Sequence, residues 1–384
     1  MLGGSSPTWR SPRRRSWTQR LTAEVDAAAS CATGAPSRMV EAMSTDAAPA
    51  PHTATAAESA ELAVVTRAGL AESRHVGSAV LVGPEGEVLK RLGAPESIMF
   101  PRSSLKPLQA LASLRAGALV SPEAVALACG SHVGSQRHQD VAASVLAKER
   151  LDESHLKCPV AYPARSADLE AHIRADKIET ALAYNCSGKH AVFLAATRTQ
   201  GSRLATYTDP DHPLQLMVNE VYAEYCGEAP TTLGVDGCGA PAAAMSLTGL
   251  ARGIGRLSSA LTQRDAEVHA FTVAQAMLDY PWAVRGVGEP DTVVMEQLGL
   301  ITKSGAEGVL VVAAPDGTTA AVKTLDGSSR PNHLVALSLL AAAGKVDLDD
   351  LERTLKILVN PITGGADKRP AGGLRLSESV TAQL

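Results

Sequence analysis

The chain has 384 residues, of which 45% are hydrophobic, 20% charged and 3% aromatic, and its net charge is −4. The apolar fraction excludes a wholly disordered chain, while the slightly acidic balance and scarce aromatics give no footprint for nucleic acid. The six cysteines are too few for a disulfide scaffold. Beyond residue 58, no stretch reaches the roughly 18 uncharged apolar residues of a membrane span.

Residues 1–58 differ in composition from the rest of the chain, because Ala, Pro, Ser and Thr dominate there without apolar periodicity. Such a segment buries too little surface to offset the cost of ordering, so we predict a disordered tail ahead of a single domain at 59–384. An export signal is the alternative interpretation, but Glu24 and Asp26 interrupt the apolar segment that it requires. We therefore expect a dispensable tail or an extension from a start codon placed too far upstream, and we predict a cytoplasmic protein.

Strands are predicted at both ends of this domain, and helices between them. One hairpin turns at 83–86 after a strand at 61–67, and a second hairpin turns at 315–317. The apolar periodicity predicts helices at 103–117, 122–128, 136–150, 189–200, 212–225, 241–254, 265–278, 331–343 and 349–358. Because strands and helices are segregated, we expect an α+β fold in which the terminal hairpins join one antiparallel sheet covered by helices.

A serine and a lysine three residues apart, Ser103 and Lys106, begin the helix predicted at 103–117. Residues at this spacing share one helix face. A lysine whose pKa is depressed by burial can activate a serine hydroxyl as a nucleophile. The alternative is that Ser103 only caps the helix and Lys106 is solvated, since this short motif occurs by chance in many chains.

A second motif, Lys303-Ser304-Gly305, comes just before the strand of the second hairpin. A Ser-x-x-Lys helix followed by Lys-Ser/Thr-Gly is the pairing found in serine β-lactamases and penicillin-binding proteins. Their Ser-Asp-Asn motif is missing, and Ser131 and His132 stand in its place at the end of a helix. Ser131 is a candidate second active hydroxyl, whereas a histidine in such a position is more often internally hydrogen-bonded than catalytic.

Two cysteines, Cys186 and Cys238, lie at element ends beside small, turn-forming residues. A helix N-terminus and the nearby Lys189 would lower the pKa of a thiol there. Two cysteines do not define a zinc site by their spacing. The alternative is that both are buried small apolar residues.

Six segments in this order carry a family resemblance: RHVGSAVLV, FPRSSLKPLQ, ACGSHVGSQRHQ, YNCSGKHA, GVDGCGAP and TKSGAEGV. From about residue 60 to near its C-terminus, the chain resembles the bacterial asparaginases of the Rhizobium etli type, a zinc-containing family. The resemblance implies a serine β-lactamase-like fold, a homodimer, and hydrolysis of the side-chain amide of L-asparagine to L-aspartate and ammonia.

The same resemblance implies roles for ten residues. Two Ser–Lys tandems fall on Ser103 with Lys106 and on Ser131 with Lys303; the zinc ligands fall on Cys186, Lys189 and Cys238; and Asp236, Arg102 and His132 are the expected substrate-binding residues. In the expected mechanism Ser103 is the nucleophile, and Ser131 with Lys303 relays a proton to the leaving ammonia. Ser131 is the rival nucleophile.

Two other functions are compatible with the motifs. A β-lactamase or penicillin-binding protein fits the two Ser/Lys motifs, and a non-catalytic metal-binding protein needs only Cys186 and Cys238. Within the asparaginase interpretation, asparagine and glutamine differ by one methylene, which a pocket discriminates by about 1–3 kcal/mol. The sequence leaves that preference open.

Overall fold

The computed structural model describes residues 52–384, so most of the tail predicted at 1–58 lies outside the described residues. Within its last residues, the Ala54 side chain is buried. Glu58 Oε2 accepts hydrogen bonds from the backbone N–H and the hydroxyl of Thr55, both at 2.8 Å. Residues 52–58 therefore form local hydrogen bonds immediately ahead of the first strand.

The strands in this part of the chain are β1 (Ala60–Arg67), β2 (Leu70–Val82), β3 (Val88–Leu92), β4 (Ile98–Met99), β5 (Thr232–Val235), β6 (Pro241–Ser246), β7 (Ile301–Gly305), β8 (Val309–Ala313), β9 (Thr319–Thr324), β10 (Ile362–Gly364) and β11 (Arg369–Leu376). The α-helices are α1 (Lys106–Arg115), α2 (Pro122–Ala128), α3 (Gln136–Lys148), α4 (Ser166–Arg174), α5 (Ser187–Thr199), α6 (Pro213–Cys226), α7 (Leu247–Ser259), α8 (Val268–Asp279), α9 (Pro281–Val284), α10 (Pro290–Leu298), α11 (Asn332–Ala342), α12 (Leu348–Leu358) and α13 (Glu378–Thr381). Short 3₁₀ helices occupy Arg102–Leu105, Glu153–His155, Ala181–Ala183 and Leu204–Thr206.

The main sheet joins the two ends of the chain. Its strand order is β10-β11-β1-β2-β9-β8-β7, with β3 paired to β2, and all neighbours are antiparallel. The N-terminal strands meet the C-terminal ones where β1 pairs β11 and β2 pairs β9. The predicted α+β class and the single sheet built from terminal hairpins are confirmed.

Both faces of the central strands are covered. Along β2, Val80 and Val82 belong to one buried apolar cluster, whereas Ala79 and Leu81 belong to another, as expected for side chains that alternate across a sheet. Helix α7 packs on β2, β8 and β9, and α11 packs on the same strands. Since α7 and α11 belong mainly to different clusters, the sheet lies between two layers of helix.

The helix predicted at 241–254 is wrong in its first half, which forms β6. This strand pairs with β4 and β5 in a separate three-stranded sheet, so tertiary pairing overrides the helix propensity of its alanines. Helix α7 begins where the side chain of Ser246 accepts a hydrogen bond from the backbone N–H of Gly249 at 2.8 Å, a standard N-cap.

The helix predicted at 103–117 also begins differently. Residues Arg102–Leu105 form a 3₁₀ turn, and α1 starts at Lys106. Ser103 does not cap a helix by its side chain, and the neighbouring hydroxyl of Ser104 donates to the carbonyl of Pro101 at 2.7 Å. The sequence patterns also missed α4, α10 and the β10–β11 pair. No helix within residues 52–384 combines the length and the apolar character needed to cross a bilayer.

Candidate active site

Two buried lysines converge on one serine hydroxyl. Lys106 lies at the start of α1, Lys303 on β7 and Ser131 in the segment after α2. Each lysine Nζ lies 3.1 Å from Ser131 Oγ, and all three side chains are buried. We call these three residues the serine–lysine cluster; in it, a hydroxyl proton has an amine neighbour on either side.

The pKa of the Lys303 amine is suited to proton transfer at neutral pH. Burial lowers its pKa to about 7, and the nearby Lys106 lowers it further, while Asp291 opposes both effects. A general base works best when its pKa lies near the operating pH. At neutral pH a substantial fraction of Lys303 is therefore a neutral amine that can accept a proton from Ser131.

Ser103 lies apart from this cluster but close to it. Its partly exposed side chain sits in the 3₁₀ turn and lines a small cavity together with Lys106, Lys189 and Asp236. The expected direct tandem with Lys106 is not formed: within the described residues Lys106 donates instead to Gly130, Ser131 and Asn185. The solvent-accessible serine, Ser103, and the serine that both lysines contact, Ser131, are thus different residues near Lys106.

Arg102 and Asp236 form an ion pair at the same cavity. Arg102 Nε and Nη2 lie 3.0 and 2.6 Å from Asp236 Oδ1, and both side chains are partly buried. The Arg102 backbone has φ 56°, a costly left-handed conformation for a non-glycine residue. Burial would raise the pKa of Asp236, but the hydrogen bonds from Arg102 and the charge of Lys189 keep it below its usual value.

Both ring nitrogens of His132 form hydrogen bonds within the protein. Its Nδ1 accepts a hydrogen bond from the backbone N–H of Gly134 at 3.2 Å, so Nε2 donates to Ser187 Oγ at 3.0 Å. The ring stacks on His138 at 4.8 Å, and burial lowers the pKa of His132 well below its usual value. His132 does not line the cavity of Ser103, so this geometry gives no support to its predicted contact with substrate.

Cys186, Lys189 and Cys238, here called the sulfur cluster, are also brought together and buried. Cys186 is the N-cap of α5 and Lys189 lies in its first turn, while Cys238 follows β5. Lys189 Nζ lies 3.2 Å from Cys238 Sγ. A hydrogen bond with Cys238 lowers the pKa of Cys186 well below its usual value, and the same contact raises the pKa of Cys238. Burial would lower the pKa of Lys189, but charge interactions with the two cysteine sulfurs outweigh this effect and raise the pKa.

The donor atoms of the sulfur cluster fit a soft divalent metal. Two thiol sulfurs and an amine nitrogen match the N/S preference of zinc. Next to them lies His190, which is fully buried and follows Lys189 in α5. Residues 52–384 contain no group of three His, Cys, Asp or Glu that could hold a metal, so a metal here would need Lys189 as a ligand.

Sequence reasoning missed two charged residues beside the serine–lysine cluster. Arg285 Nη1 donates to the backbone carbonyl of Ser131 at 3.0 Å. Asp291 Oδ2 lies 3.7 Å from Lys303 Nζ, and the Asp291 side chain is 1% exposed. The only available signal was Pro290-Asp291 at a helix start, which predicts an acidic first turn and says nothing about burial.

Comparisons with known proteins agree with these motifs at the family level. A family model described as L-asparaginase II matches residues 63–376, whereas no curated protein matches the chain. Among solved structures, the chain is similar to Mglu in its glutamate form, with 14% identity over 71% of this chain and 61% of that one and a TM-score of 0.39. The native form of Mglu gives 15% identity over 81% and 73%, with a TM-score of 0.39. A β-lactamase from Mycobacterium bovis gives 15% identity over 73% and 95%, with a TM-score of 0.31.

Proposed function

Because the chain belongs to the L-asparaginase II family and is therefore an amidohydrolase, we propose that it hydrolyses the side-chain amide of L-asparagine to L-aspartate and ammonia. The family match leaves three finer points open: the preference for asparagine or glutamine, the Ser–Lys mechanism and the binding of zinc. The homodimer and the cytoplasmic location also stay predictions.

The observation that carries the proposed mechanism is the pair of 3.1 Å contacts between Ser131 Oγ and the amines of Lys106 and Lys303. Lys106 lines the cavity of Ser103 and contacts Ser131, so the proposed proton path requires a Ser103–Lys106 hydrogen bond to form when substrate binds. Ser131 is 5% exposed, which favours Ser103 as the nucleophile and Ser131 as part of the proton path.

In this mechanism the Ser103 hydroxyl attacks the amide carbon and passes its proton through Lys106 and Ser131 to neutral Lys303. The C–N bond then breaks, and the same path returns the proton to the leaving nitrogen, which departs as ammonia. Water attacks the acyl-enzyme and releases aspartate and free Ser103. Backbone N–H groups of the turn at Ser103 are candidates for stabilising the oxyanion.

The ion pair of Arg102 and Asp236 supports an amino acid as the substrate. The α-carboxylate and α-ammonium of asparagine form a complementary pair of charges: the Arg102 guanidinium suits the carboxylate, and the Asp236 carboxylate suits the ammonium. Charge-assisted hydrogen bonds of this kind favour a zwitterion over an uncharged amide. The substrate class that fits is therefore an α-amino acid with a side-chain carboxamide.

Cys186, Lys189 and Cys238 would hold the zinc. When bound, the metal would supply a fixed positive charge beside the cavity. Lys189 lines that cavity together with Ser103, so ligation of its amine would fix one wall of the substrate site. Ligation requires Lys189 and both thiols to lose their protons.

The test is ammonia release from asparagine and glutamine by the wild-type chain and by Ser103→Ala and Ser131→Ala. Loss of Ser103 should lower kcat by about 10,000-fold or more, and loss of Ser131 by about 100-fold or more. Ser113→Ala is the matched control, because the hydroxyl of this buried serine donates to the carbonyl of Gln109 within α1. Normal turnover by Ser103→Ala would refute the nucleophile, and nitrocefin hydrolysis without ammonia release would favour a β-lactamase.

A further inference from the structure

Asp291 presents a buried carboxylate to the serine–lysine cluster. It stands in the first turn of α10, and its Oδ2 accepts a hydrogen bond from the backbone N–H of Ser304 at 3.0 Å. The hydroxyl of Ser304 donates to Oδ1. Because Ser304 follows Lys303 on β7, these bonds fix the carboxylate beside the lysine. A buried carboxylate is tolerated when it is both hydrogen-bonded and paired with a cation, as it is here.

The other charges that face Lys303 mostly oppose its protonation. Burial is the main reason why the pKa of Lys303 falls to about 7, and Lys106 and Arg285 add to the effect. Asp291 raises that pKa more than any other group, ahead of Cys186. Removing the carboxylate would therefore leave the amine with basic neighbours and little to hold its proton.

The remaining titratable groups around this pair are neutral near pH 7. His333 Nε2, from α11, lies 4.0 Å from Asp291 Oδ1, and burial lowers the pKa of His333. Burial raises the pKa of the nearby Cys129 thiol to about 12. Burial would also raise the pKa of Asp291, but the charge of Lys303, followed by that of Arg285, holds it below its usual value. Asp291 and Lys303 thus act mainly on each other.

On the basis of the proposed function, we propose that Asp291 is a positioning residue: it holds the Lys303 amine against Ser131 and supplies the negative charge that lets this lysine both carry and release a proton. A relay that takes a proton from the nucleophile and returns it to the leaving group needs both protonation states. Without the carboxylate, the flexible lysine stem has no anionic anchor, and two amines compete for one hydroxyl.

Asp291→Asn tests the proposal through the pH profile of kcat/KM for asparagine. The acid limb should move to lower pH by at least about one unit, since an opposite charge at this distance shifts a pKa by that much or more. Turnover at pH 8 should fall about 10-fold to 100-fold, and Asp291→Glu should restore part of it. Asp316→Asn is the matched control, because Asp316 pairs with Lys345 at 2.6 Å on a partly exposed surface; its profile should be that of the wild type.

A second measurement does not depend on turnover. In protein carrying ¹³C,¹⁵N-lysine, the Lys303 signal is assigned by its absence from Lys303→Arg, and its titration midpoint is followed by NMR. The midpoint should fall in Asp291→Asn; if circular dichroism shows that this variant is unfolded, Asp291→Ser carries both measurements. A wild-type midpoint and profile in a folded variant would overturn the proposal. If the wild-type chain releases no ammonia, the proposed function fails, and the NMR midpoint alone still decides the role of Asp291.

Discussion

The serine–lysine cluster and the sulfur cluster both bury lysine side chains, and the pKa values of Lys303 in the first and Lys189 in the second are shifted in opposite directions. In the first, burial lowers the pKa of Lys303 to about 7 despite the carboxylate beside it. In the second, burial acts on Lys189 in the same direction, but charge interactions with the sulfurs of Cys238 and Cys186 outweigh it and raise the pKa. Burial alone therefore does not determine the charge of a lysine. The balance of neighbouring charges makes one cluster suited to proton transfer and the other to holding positive charge.

Among the changes that test this difference between the two clusters, removal of the Lys303 amine should have the largest effect on kcat. Lys303→Met should lower kcat for asparagine about 1,000-fold, within the range for losing a general acid–base group, because Ser131 then lacks the amine that can be neutral at pH 7. Lys345→Met is the control, since Lys345 lies on a partly exposed surface and pairs with Asp316; its kcat should be unchanged. An unchanged kcat in Lys303→Met would mean that the cluster does not transfer the proton.

The fold was largely predictable because short apolar runs bounded by turn residues are a local pattern. Val80 and Leu81 point to opposite sides of the sheet, and glycine-containing turns at 83–86 and 315–317 separate the hairpin strands. The pairing of β6 was not predictable in this way. Its sequence, Pro241–Ser246, is rich in alanine, and only its neighbours β4 and β5 make it a strand.

The candidate site was predictable as a set of residues but not in its contacts. The motifs named Ser131 and Lys303, which do meet, but the side chain of Lys106 contacts Ser131, while Ser103 lies in a 3₁₀ turn. No local pattern distinguishes that turn from the start of an α-helix. Asp291 was missed for a similar reason, since an acidic first turn looks the same in sequence whether it is exposed or buried.

A second, smaller effect tests whether the cavity between the clusters binds a zwitterion. Asp236→Asn should raise KM for asparagine about 10-fold to 100-fold, because one partner of a charge-assisted pair is lost, and should change kcat less. Asp279→Asn is the control, since this exposed carboxylate accepts a hydrogen bond from Gln275 on the same helix, α8. Equal KM values for the wild type and Asp236→Asn would remove Asp236 from the substrate site.

The pH dependence of kcat/KM tests whether Lys303 is the base. Lys303 must be neutral to accept a proton, and it is neutral above its pKa of about 7. The value of kcat/KM should therefore rise with pH through about 7 and fall about tenfold for each unit below it. Burial lowers the pKa values of His132 and His138, which moves their titrations below that of Lys303. A flat profile between pH 5.5 and 7 would contradict Lys303 as the base.

Metal removal should have the smallest effect on turnover and a clear effect on stability. In Cys186→Ser and Cys238→Ser the zinc content should fall from about one per chain to none. The value of kcat should fall only a few-fold, because the proposed zinc lies beside the substrate site and does not generate the nucleophile. A metal at a hundredfold excess over its dissociation constant stabilises a folded chain by about 2.7 kcal/mol, so chelation should lower the melting temperature of the wild type but not of these variants.

The control for this experiment is Cys226→Ala, which removes a thiol that lies in the apolar core and whose pKa is raised by burial. It should keep its zinc, although filling the core less well lowers its stability. Zinc affinity should also weaken as the pH falls, because Lys189, Cys186 and Cys238 must all give up protons to the solvent before they can bind the metal. If Cys186→Ser and Cys238→Ser kept their zinc as fully as Cys226→Ala, the metal would lie elsewhere. The raised pKa of Lys189 would then reflect a buried ion pair with the cysteine sulfurs, and Lys189 would not be a metal ligand.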